Sequence, residues 1–483
     1  MQKNIKNNFI YNILYQIIIL AFPLIITPYT SRIFGSEGIG QINFTQSIIT
    51  YFVLISSFGF NFYGQREIAR NGNNKEEQKN IFWEIFFTRF WITLSLALLN
   101  LLLIKLNIYG EYSILMLVLT INIISVIFDI TFLFQGREEF KKILFTSGIV
   151  KIVTLISIFM FINDFNDLIL YVLIQSLSLL SMYIVLWVFV KKHDFFLMKK
   201  IKLFNYNHLK YSFVLFIPTL AASLYTVFDK TLLGIITSNN NEVGYYSQAQ
   251  KIIKLILVLI TSLSTIMIPR NSYLYAENKK DKFDNNIEFS FNYLTFLGFP
   301  LVLGLISISD LFVPIFFGNG FDKVSMLIKI ASPLVLIIGA SNIIGMQILI
   351  PMKKDRKFTT AIVIGSITNL LLNIVFITLF ESVGATISSI IAELIVLFIM
   401  LYYSKSIIKL KKFKFSGFKH LISSSIMFVL LYSLKLYLLP NNINLLILVT
   451  VGIIVYFSAL LILKDSFTTY LILNFKTYLL RKK

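Results

Sequence analysis

Fourteen long apolar stretches dominate the chain, each close to the ~20 residues that an α-helix needs to cross a bilayer. The predicted spans are 9–31, 41–63, 81–104, 113–134, 143–162, 168–190, 211–236, 243–267, 289–309, 325–350, 358–380, 382–404, 417–439 and 443–463. With 57% hydrophobic residues and a mean hydropathy of +0.78, the chain is too apolar for a water-soluble globular protein. We therefore predict an all-α polytopic membrane protein with about 14 transmembrane helices.

The basic residues support this number of spans and give an orientation. Lys and Arg cluster in every second loop, whereas the loops between those contain only Arg32, Lys105 and Lys323. Because cytoplasmic loops of membrane proteins carry the excess of Lys and Arg, both termini are expected to lie in the cytoplasm. The net charge of +20 is then mostly a topology signal, and nucleic-acid binding is not expected.

A helical hairpin motif occurs twice, about 200 residues apart. Gly40 aligns with Gly244, and Gln46 aligns with Gln250. Such a repeat predicts two similar helical bundles in tandem. Between them, residues 191–210 alternate basic and apolar side chains, which is typical of an amphipathic segment on the membrane surface.

Ionisable residues occur inside the predicted spans, where each charge facing lipid would cost roughly 2.5 to 3.5 kcal/mol. The bases are Arg89, Lys151, Lys230, Lys251 and Lys254, and the acids are Asp129, Asp229 and Glu393. Because the bases outnumber the acids, we expect a water-filled cleft with a net positive lining, suited to a phosphate or diphosphate headgroup. The candidate substrate-binding residues are Arg32, Arg89, Lys230, Lys251 and Lys254.

The acids have alternative roles. Folding the second hairpin brings Asp229 level with Lys251, and an ion pair of purely structural importance is as good an interpretation as a substrate site. Asp229 and Glu393 are also the candidates for carrying a coupling proton or Na⁺. For Asp129 a structural role is favoured, and Lys151 is a weaker substrate candidate than Lys254 or Arg89.

Several function classes are disfavoured by the sequence. There is no GxxxxGK[ST] loop for ATP hydrolysis, no cluster of metal ligands and no cysteine, so neither a cofactor nor a metal is expected. His193, His208 and His420 are predicted to be solvated or interfacial at the cytoplasmic face. The outer loops are short and carry few bases, which disfavours an embedded polysaccharide polymerase or ligase. A transporter is expected, not an enzyme.

In their order and spacing, several motifs resemble the Wzx-type O-antigen and capsular repeat-unit flippases. These belong to the polysaccharide biosynthesis protein family, within the multidrug/oligosaccharidyl-lipid/polysaccharide exporter superfamily. The motifs are TSRIFG at 30–35 with GIG at 38–40, QGREEF at 135–140, DK at 229–230 with EVGYYS at 242–247, FFG at 316–318, GMQ at 345–347, Asn369, Asn373, GA at 384–385 and Glu393.

The resemblance implies two pseudo-symmetric six-helix lobes of the MATE type, with two additional C-terminal helices and alternating access between the lobes. The implied domains are an N-terminal lobe at 1–190, a cytoplasmic amphipathic linker at 191–210, a C-terminal lobe at 211–404, and two further transmembrane helices with a basic cytoplasmic tail at 405–483. The implied location is the bacterial plasma (inner) membrane.

The resemblance also implies a substrate: oligosaccharide repeat units on undecaprenyl diphosphate, moved from the cytoplasmic to the outer leaflet for O-antigen, capsule or related polysaccharide synthesis. Two alternatives remain open, a MATE-type drug or cation exporter and a flippase for a peptidoglycan or teichoic-type precursor. The polysaccharide polymerase machinery, and H⁺ or Na⁺ as coupling ion, are further partners left open. The identity of the sugars is not encoded in any motif that we identify.

Overall fold

The computed structural model describes residues 2–72, 74–191, 204–405 and 416–480, and all regular secondary structure in these residues is helical. The helices of the first half are α1 (Gln2–Ser57), α2 (Phe60–Arg70), α3 (Lys75–Lys105), α4 (Ser113–Phe128), α5 (Thr131–Gly136), α6 (Phe140–Phe161), α7 (Leu168–Lys191) and α8 (Tyr206–Thr237). Those of the second half are α9 (Asn240–Ala276), α10 (Lys280–Phe317), α11 (Asp322–Ala331), α12 (Leu334–Ile344), α13 (Asp355–Ser404), α14 (Gly417–Lys435), α15 (Asn442–Ile462) and α16 (Ser466–Leu480). A π-helical turn, Gly345–Leu349, follows α12.

Each of the fourteen predicted spans falls on helical structure. In the described part of the chain, 11 helical segments are long and apolar enough to cross a membrane. These 11 segments cover 13 of the predicted spans, because α1 and α13 each cover two, broken by a non-helical residue, Gly35 in α1 and Glu381 in α13. The remaining predicted span, 211–236, lies on α8. The prediction of an all-α polytopic membrane protein is confirmed.

The chain forms two compact units. The first comprises Met1–Gly234 with Asn239–Gly244, and the second comprises Ile235–Ser238 with Tyr245–Lys483. Helix α8 therefore packs mainly with the helices that precede it in the chain. The lobe boundaries implied by the family resemblance stay a prediction, and most of the predicted linker lies outside the described residues.

Two clusters of buried side chains form the core of the first unit. Phe60, Phe82 and Phe132 join α2, α3 and α5. Ile49 and Met116 belong to a second cluster that joins α1 and α4. Because lipid is as apolar as these side chains, close packing and not the hydrophobic effect holds such helices together.

The second unit is built around α10. Leu294 of α10 belongs to the same buried cluster as Ile344 of α12 and Ala361 of α13. On another side, α14 and α15 pack against α10, where the Tyr456 hydroxyl donates a hydrogen bond of 2.6 Å to the Phe296 carbonyl. The two C-terminal helices thus belong to the core of the second unit.

Within the first unit, α1 and the first turn of α9 cross at Gly40 and Gly244, the two residues that align in the repeat. A Cβ atom at Gly40 would lie 1.7 Å from the Asn240 carbonyl oxygen, and one at Gly244 would lie 2.1 Å from the Ser36 carbonyl oxygen. Ser36 and Asn240 each precede their own glycine by four residues, so the crossing is nearly two-fold symmetric. Only glycine permits such close backbone approach.

A buried histidine fixes the start of α8. The ring of His208 is hydrogen-bonded through Nε2 to the Glu84 carboxylate of α3 at 2.8 Å, and through Nδ1 to the Tyr63 hydroxyl of α2 at 2.8 Å. A carboxylate only accepts hydrogen bonds, so Nε2 is the donor to Glu84, and in a neutral ring Nδ1 accepts from Tyr63. These contacts tie α8 to α2 and α3.

A second buried histidine fixes the start of α14. Nδ1 of His420 lies 2.9 Å from the Thr295 hydroxyl of α10, and Nε2 lies 3.4 Å from the Asp465 carboxylate. Asp465 caps α16, because its Oδ2 accepts hydrogen bonds from the Thr468 backbone nitrogen at 2.7 Å and hydroxyl at 2.8 Å. Helices α10, α14 and α16 meet at this cluster.

The sequence-based prediction for these histidines was wrong. His208 is 8% exposed and His420 is fully buried, because each has a carboxylate and a hydroxyl partner inside the protein. The third, His193, lies outside the described residues. Hydrogen bonds to both ring nitrogens offset the free-energy cost of burying a polar ring.

Substitution Gly40→Ala is expected to destabilise the protein by about 1 to 3 kcal/mol, or more, because the added methyl group overlaps the Asn240 carbonyl. The measurement is the Tm of the purified protein in detergent. The matched control is Gly304→Ala in α10, where the nearest atom to the new Cβ would be Met427 Cε at 3.8 Å. Equal melting temperatures for the two variants would contradict the close crossing.

The Asp465 cap predicts a pH effect on stability. Burial alone would raise the pKa of Asp465, but hydrogen bonds from Thr468 outweigh it and hold the pKa below its ordinary value. The ionised carboxylate therefore stabilises the fold at neutral pH, and this contribution is lost as the pH falls through the lowered folded-state pKa, below about 4.

Thermal unfolding of wild type and Asp465→Asn, from about pH 7 down to about pH 3, measures this contribution. The variant is expected to have a lower Tm at neutral pH and a smaller loss of Tm on acidification. Asp355→Asn, at an exposed position in the first turn of α13, is the control and should behave as wild type. Parallel pH profiles for wild type and Asp465→Asn would contradict the assignment.

Candidate functional site

Arg89 on α3 is the most completely buried of the predicted site residues. Its side chain has no exposed surface. Nη1 donates to the Asn61 side-chain oxygen at 3.3 Å, whereas Nη2 donates to the backbone carbonyls of Ile127, at 3.3 Å, and Asp129. The guanidinium thus satisfies the carbonyl groups at the end of α4.

Asp129 occupies the break between α4 and α5. Its Oδ2 accepts a hydrogen bond from Asn61 Nδ2 at 2.8 Å, and its Oδ1 accepts from the Thr131 backbone nitrogen at 3.0 Å and hydroxyl at 2.6 Å. A helix can break within a membrane only where the freed backbone groups find partners in the protein. The contacts agree with the structural role expected for Asp129.

A ligand could reach Arg89 only if the helices around it separated, since nothing of the side chain is exposed in this structure. The guanidinium also lies over the Phe132 ring, 5.7 Å from its centroid. The assignment of Arg89 to substrate binding stays a prediction.

Polar side chains line the contact between α1 and α8 in the first unit. Lys230 Nζ donates to the Asn43 side-chain oxygen at 3.0 Å. One residue further, the Thr231 hydroxyl donates to Ser47 Oγ at 2.8 Å and lies 2.9 Å from the Tyr51 hydroxyl. Asn43, Ser47 and Tyr51 are four residues apart and share one face of α1. Lys230 is therefore placed in a polar seam.

The other two predicted residues of the first unit differ in exposure. Asp229 is 4% exposed on α8, next to Lys230. Arg32 is exposed on α1, three residues before the break at Gly35. Of these two, Arg32 is the side chain open to a ligand in this structure.

The second unit holds the remaining candidates. On α9, Lys251 is half-buried and Lys254 is exposed, and their spacing of three places them on one face of the helix. Glu393 is half-buried on α13. Asp229 and Lys251 belong to different units, and their pairing stays a prediction.

A buried polar network in the second unit was missed by the sequence analysis. At the π-helical turn, Gln347 Nε2 donates to Ser264 Oγ at 2.8 Å, and Gln347 Oε1 accepts from Ser290 Oγ at 2.7 Å. The Gln347 backbone carbonyl accepts from Asn271 Nδ2 at 3.1 Å, and Asn286 donates to Asn271 Oδ1 at 2.9 Å. Uncharged polar residues within apolar runs were the available signal.

The arrangement has one clear chemical consequence. Arg32 and Lys254 present charged groups on the surface of helices that are otherwise apolar enough to span a membrane. A charge on such a helix is tolerated where it faces water or an anion. The described residues thus provide exposed positive charge at the end of a predicted span in the first unit, at Arg32, and within a predicted span in the second unit, at Lys254.

Comparisons with known proteins agree with this architecture. The chain is 26% identical over 405 residues to the "Putative O-antigen transporter" of Escherichia coli (strain K12), which covers 83% of this chain and 97% of that protein. The fold is similar to the structure titled "Lipid II flippase MurJ, inward closed conformation", with a TM-score of 0.74, 20% identity, and coverage of 95% of this chain and 99% of that chain. It is also similar to an inward-facing multidrug resistance MATE family transporter, with a TM-score of 0.62, 14% identity, and coverage of 81% of this chain and 93% of that chain.

These similarities are distributed along most of the chain. The model of the family described as "Polysaccharide biosynthesis protein" matches residues 5–274. That match includes more than half of the sequence and extends from α1 into α9. The chain therefore belongs to the polysaccharide biosynthesis protein family.

Proposed function

We propose that this protein is a flippase for lipid-linked oligosaccharides. Its substrate would be an oligosaccharide repeat unit on undecaprenyl diphosphate, moved from the cytoplasmic to the outer leaflet of the bacterial plasma membrane for O-antigen, capsule or related polysaccharide synthesis. Family membership supports this proposal, as do the relative named "Putative O-antigen transporter" and the fold similarity to a lipid II flippase. The relative is named as a transporter and the solved structure as a flippase, and the family is described by polysaccharide biosynthesis.

The observation that carries the proposal is the excess of bases over acids on the spanning helices. A diphosphate is a compact anion, and Arg and Lys are the side chains that bind phosphate oxygens most strongly. Arg32 and Lys254 are exposed on such helices, so a headgroup could reach their exposed surface without unfolding of the surrounding core. Lys230 and Lys251 are half-buried and would contribute positive potential.

The membrane potential gives the transport a direction. Moving an anion outward across an inside-negative membrane is favoured by about 2.3 kcal/mol per elementary charge per 100 mV. A diphosphate headgroup carries more than one such charge, so the potential by itself can drive the flip. Coupling to H⁺ or Na⁺ through Asp229 or Glu393 is a compatible addition to this mechanism.

The mechanism follows from the proposed domains. Two lobes, at 1–190 and 211–404, would open alternately to the two leaflets, with the linker at 191–210 on the cytoplasmic face and the helices at 405–483 attached to the second lobe. Both termini would be cytoplasmic. After release into the outer leaflet, the repeat unit would be handed to a polysaccharide polymerase.

Two alternative functions share the fold or the headgroup chemistry of this proposal. A drug or cation exporter is favoured by the similarity to the MATE family transporter, but that similarity is to the fold only, and a cation exporter needs an acidic cleft. A flippase for a peptidoglycan or teichoic-type precursor has the same headgroup chemistry. The O-antigen-type substrate is preferred because the curated relative with that name is aligned over 97% of its own length.

The decisive experiment measures translocation in proteoliposomes. Undecaprenyl-diphosphate oligosaccharide is placed in the bilayer, and access of an external sugar-modifying reagent is followed over time. We expect protein-dependent exposure that becomes faster when the potential is negative on the side from which the substrate leaves. Absence of exposure, together with efflux of a lipophilic cation dye, would contradict the flippase function and support the exporter function.

Lys254→Ala tests the cationic site. Loss of one charged contact to the diphosphate is expected to slow transport about 10- to 100-fold without lowering the Tm, because the side chain is exposed. The matched control is Lys105→Ala at the end of α3, an exposed base that lies outside the predicted spans and should retain transport. Normal transport by Lys254→Ala would contradict this site.

A further inference from the structure

A cavity of about 680 Å³ lies within the second unit, between the C-terminal half of α9, the start of α10 and α16. None of the predicted substrate-site residues lines it. Three helix faces converge there: positions 267, 270 and 274 of α9, positions 282, 285 and 289 of α10, and positions 467 and 470 of α16. The spacings of three and four residues mean that each helix presents one face to the cavity.

The polar lining of the cavity is basic. Arg270 and Lys282 are exposed, and Asn285 beside them is an exposed amide. Among the described residues, none of these three side chains has a hydrogen-bonding or ion-pair partner. Glu288 is the one acid in the lining, so the cavity carries a net charge of about +1. Two bases and an amide without protein partners are available to an anion.

The walls of the cavity are fixed by the fold. Phe289 of α10 stands 5.4 Å, centroid to centroid, from the Phe467 ring of α16. Helix α16 is capped by Asp465, whose carboxylate also contacts the buried ring of His420. The shape of the cavity therefore depends on packed aromatic rings and a buried cap, not on loose surface side chains.

The cavity also has an apolar side. Met267 and Leu274 of α9 are buried in its wall. On α16, Tyr470 is exposed, and Leu473, three residues further on the same helix face, is also exposed. An exposed apolar helix face next to a basic cavity matches an amphipathic ligand, with a charged headgroup and hydrocarbon chains.

The cavity lies at the end of the helices that the charge pattern assigns to the cytoplasm. The loop between α9 and α10, and the segment after α15, are both on the side where Lys and Arg cluster. Basic pockets between transmembrane helices on that side are suited to the headgroups of acidic lipids. An inner-leaflet lipid could enter laterally without crossing the membrane.

We propose that this cavity binds the headgroup of an anionic phospholipid, with phosphatidylglycerol as the representative chemistry. The Arg270 guanidinium binds phosphodiester oxygens in a bidentate manner, Lys282 adds a point charge, and Asn285 donates to the headgroup. The acyl chains lie along the apolar face of α16. This site is separate from the proposed translocation of oligosaccharide and does not depend on it.

The test is native mass spectrometry of the full-length protein in detergent, titrated with phosphatidylglycerol or with phosphatidylcholine of the same chains. Wild type is expected to bind phosphatidylglycerol with clear preference. Each base is expected to contribute about fivefold in affinity, so each single variant should weaken binding about fivefold, and Arg270→Gln with Lys282→Gln about 25-fold.

The matched control replaces one arginine and one lysine elsewhere on the same side of the second unit, Arg356→Gln with Lys357→Gln in the first turn of α13. This control should bind phosphatidylglycerol as wild type does. Unchanged binding by the cavity variant, at a Tm equal to that of wild type, would overturn the proposal. If the double variant does not fold, the single variants decide.

Two further arms identify the ligand. Equal binding of phosphatidylcholine by wild type would overturn the role of the two bases, since that lipid has a phosphodiester but no net charge. Inorganic phosphate at the same concentration is expected to leave bound phosphatidylglycerol in place, because it lacks acyl chains. Displacement by phosphate would show a site for a free anion and would overturn the lipid assignment.

Discussion

Backbone groups inside a bilayer have no water to bind, and this constraint governs where the helices of this protein can be irregular. In the first unit, the break between α4 and α5 is supported by Arg89, which donates to the carbonyls of Ile127 and Asp129. In the second unit, the carbonyl of Gln347 in the π-helical turn is supported by Asn271. Each unit thus combines an irregular helix with a buried polar network, because freed backbone groups in a membrane must be satisfied by the protein.

Close backbone approach is the second organising feature, and it depends on residues with almost no side chain. The crossing at Gly40 and Gly244 brings each backbone within reach of the carbonyl one turn before the other glycine. Since apolar side chains gain little by leaving lipid, such contacts supply packing that larger residues could not. The aligned glycines of the repeat are therefore explained by geometry, whereas the substrate-binding role of the exposed bases Arg32 and Lys254 stays a proposal.

Much of the architecture could be predicted because hydropathy and loop charge report directly on the bilayer. All fourteen predicted spans coincide with helical structure. The site was harder to predict, since residue type does not reveal a partner. His208 and His420 were expected to be solvated or interfacial, yet both are buried and paired with carboxylates far away in the sequence. Arg89 was identified as a charge within a span, but its partners are backbone carbonyls, which no sequence pattern marks.

The sequence by itself determined that the chain is helical, spans the membrane many times and carries more bases than acids on its spans, because each of these properties is local or additive along the chain. Only the tertiary structure decided which charges are used in packing and which are exposed. Arg89 and Lys254 are both basic residues within predicted spans. Arg89 is buried among α2 to α5, whereas Lys254 lies on the surface of α9. The physical reason is that burial and hydrogen bonding depend on residues brought together across long sequence separations.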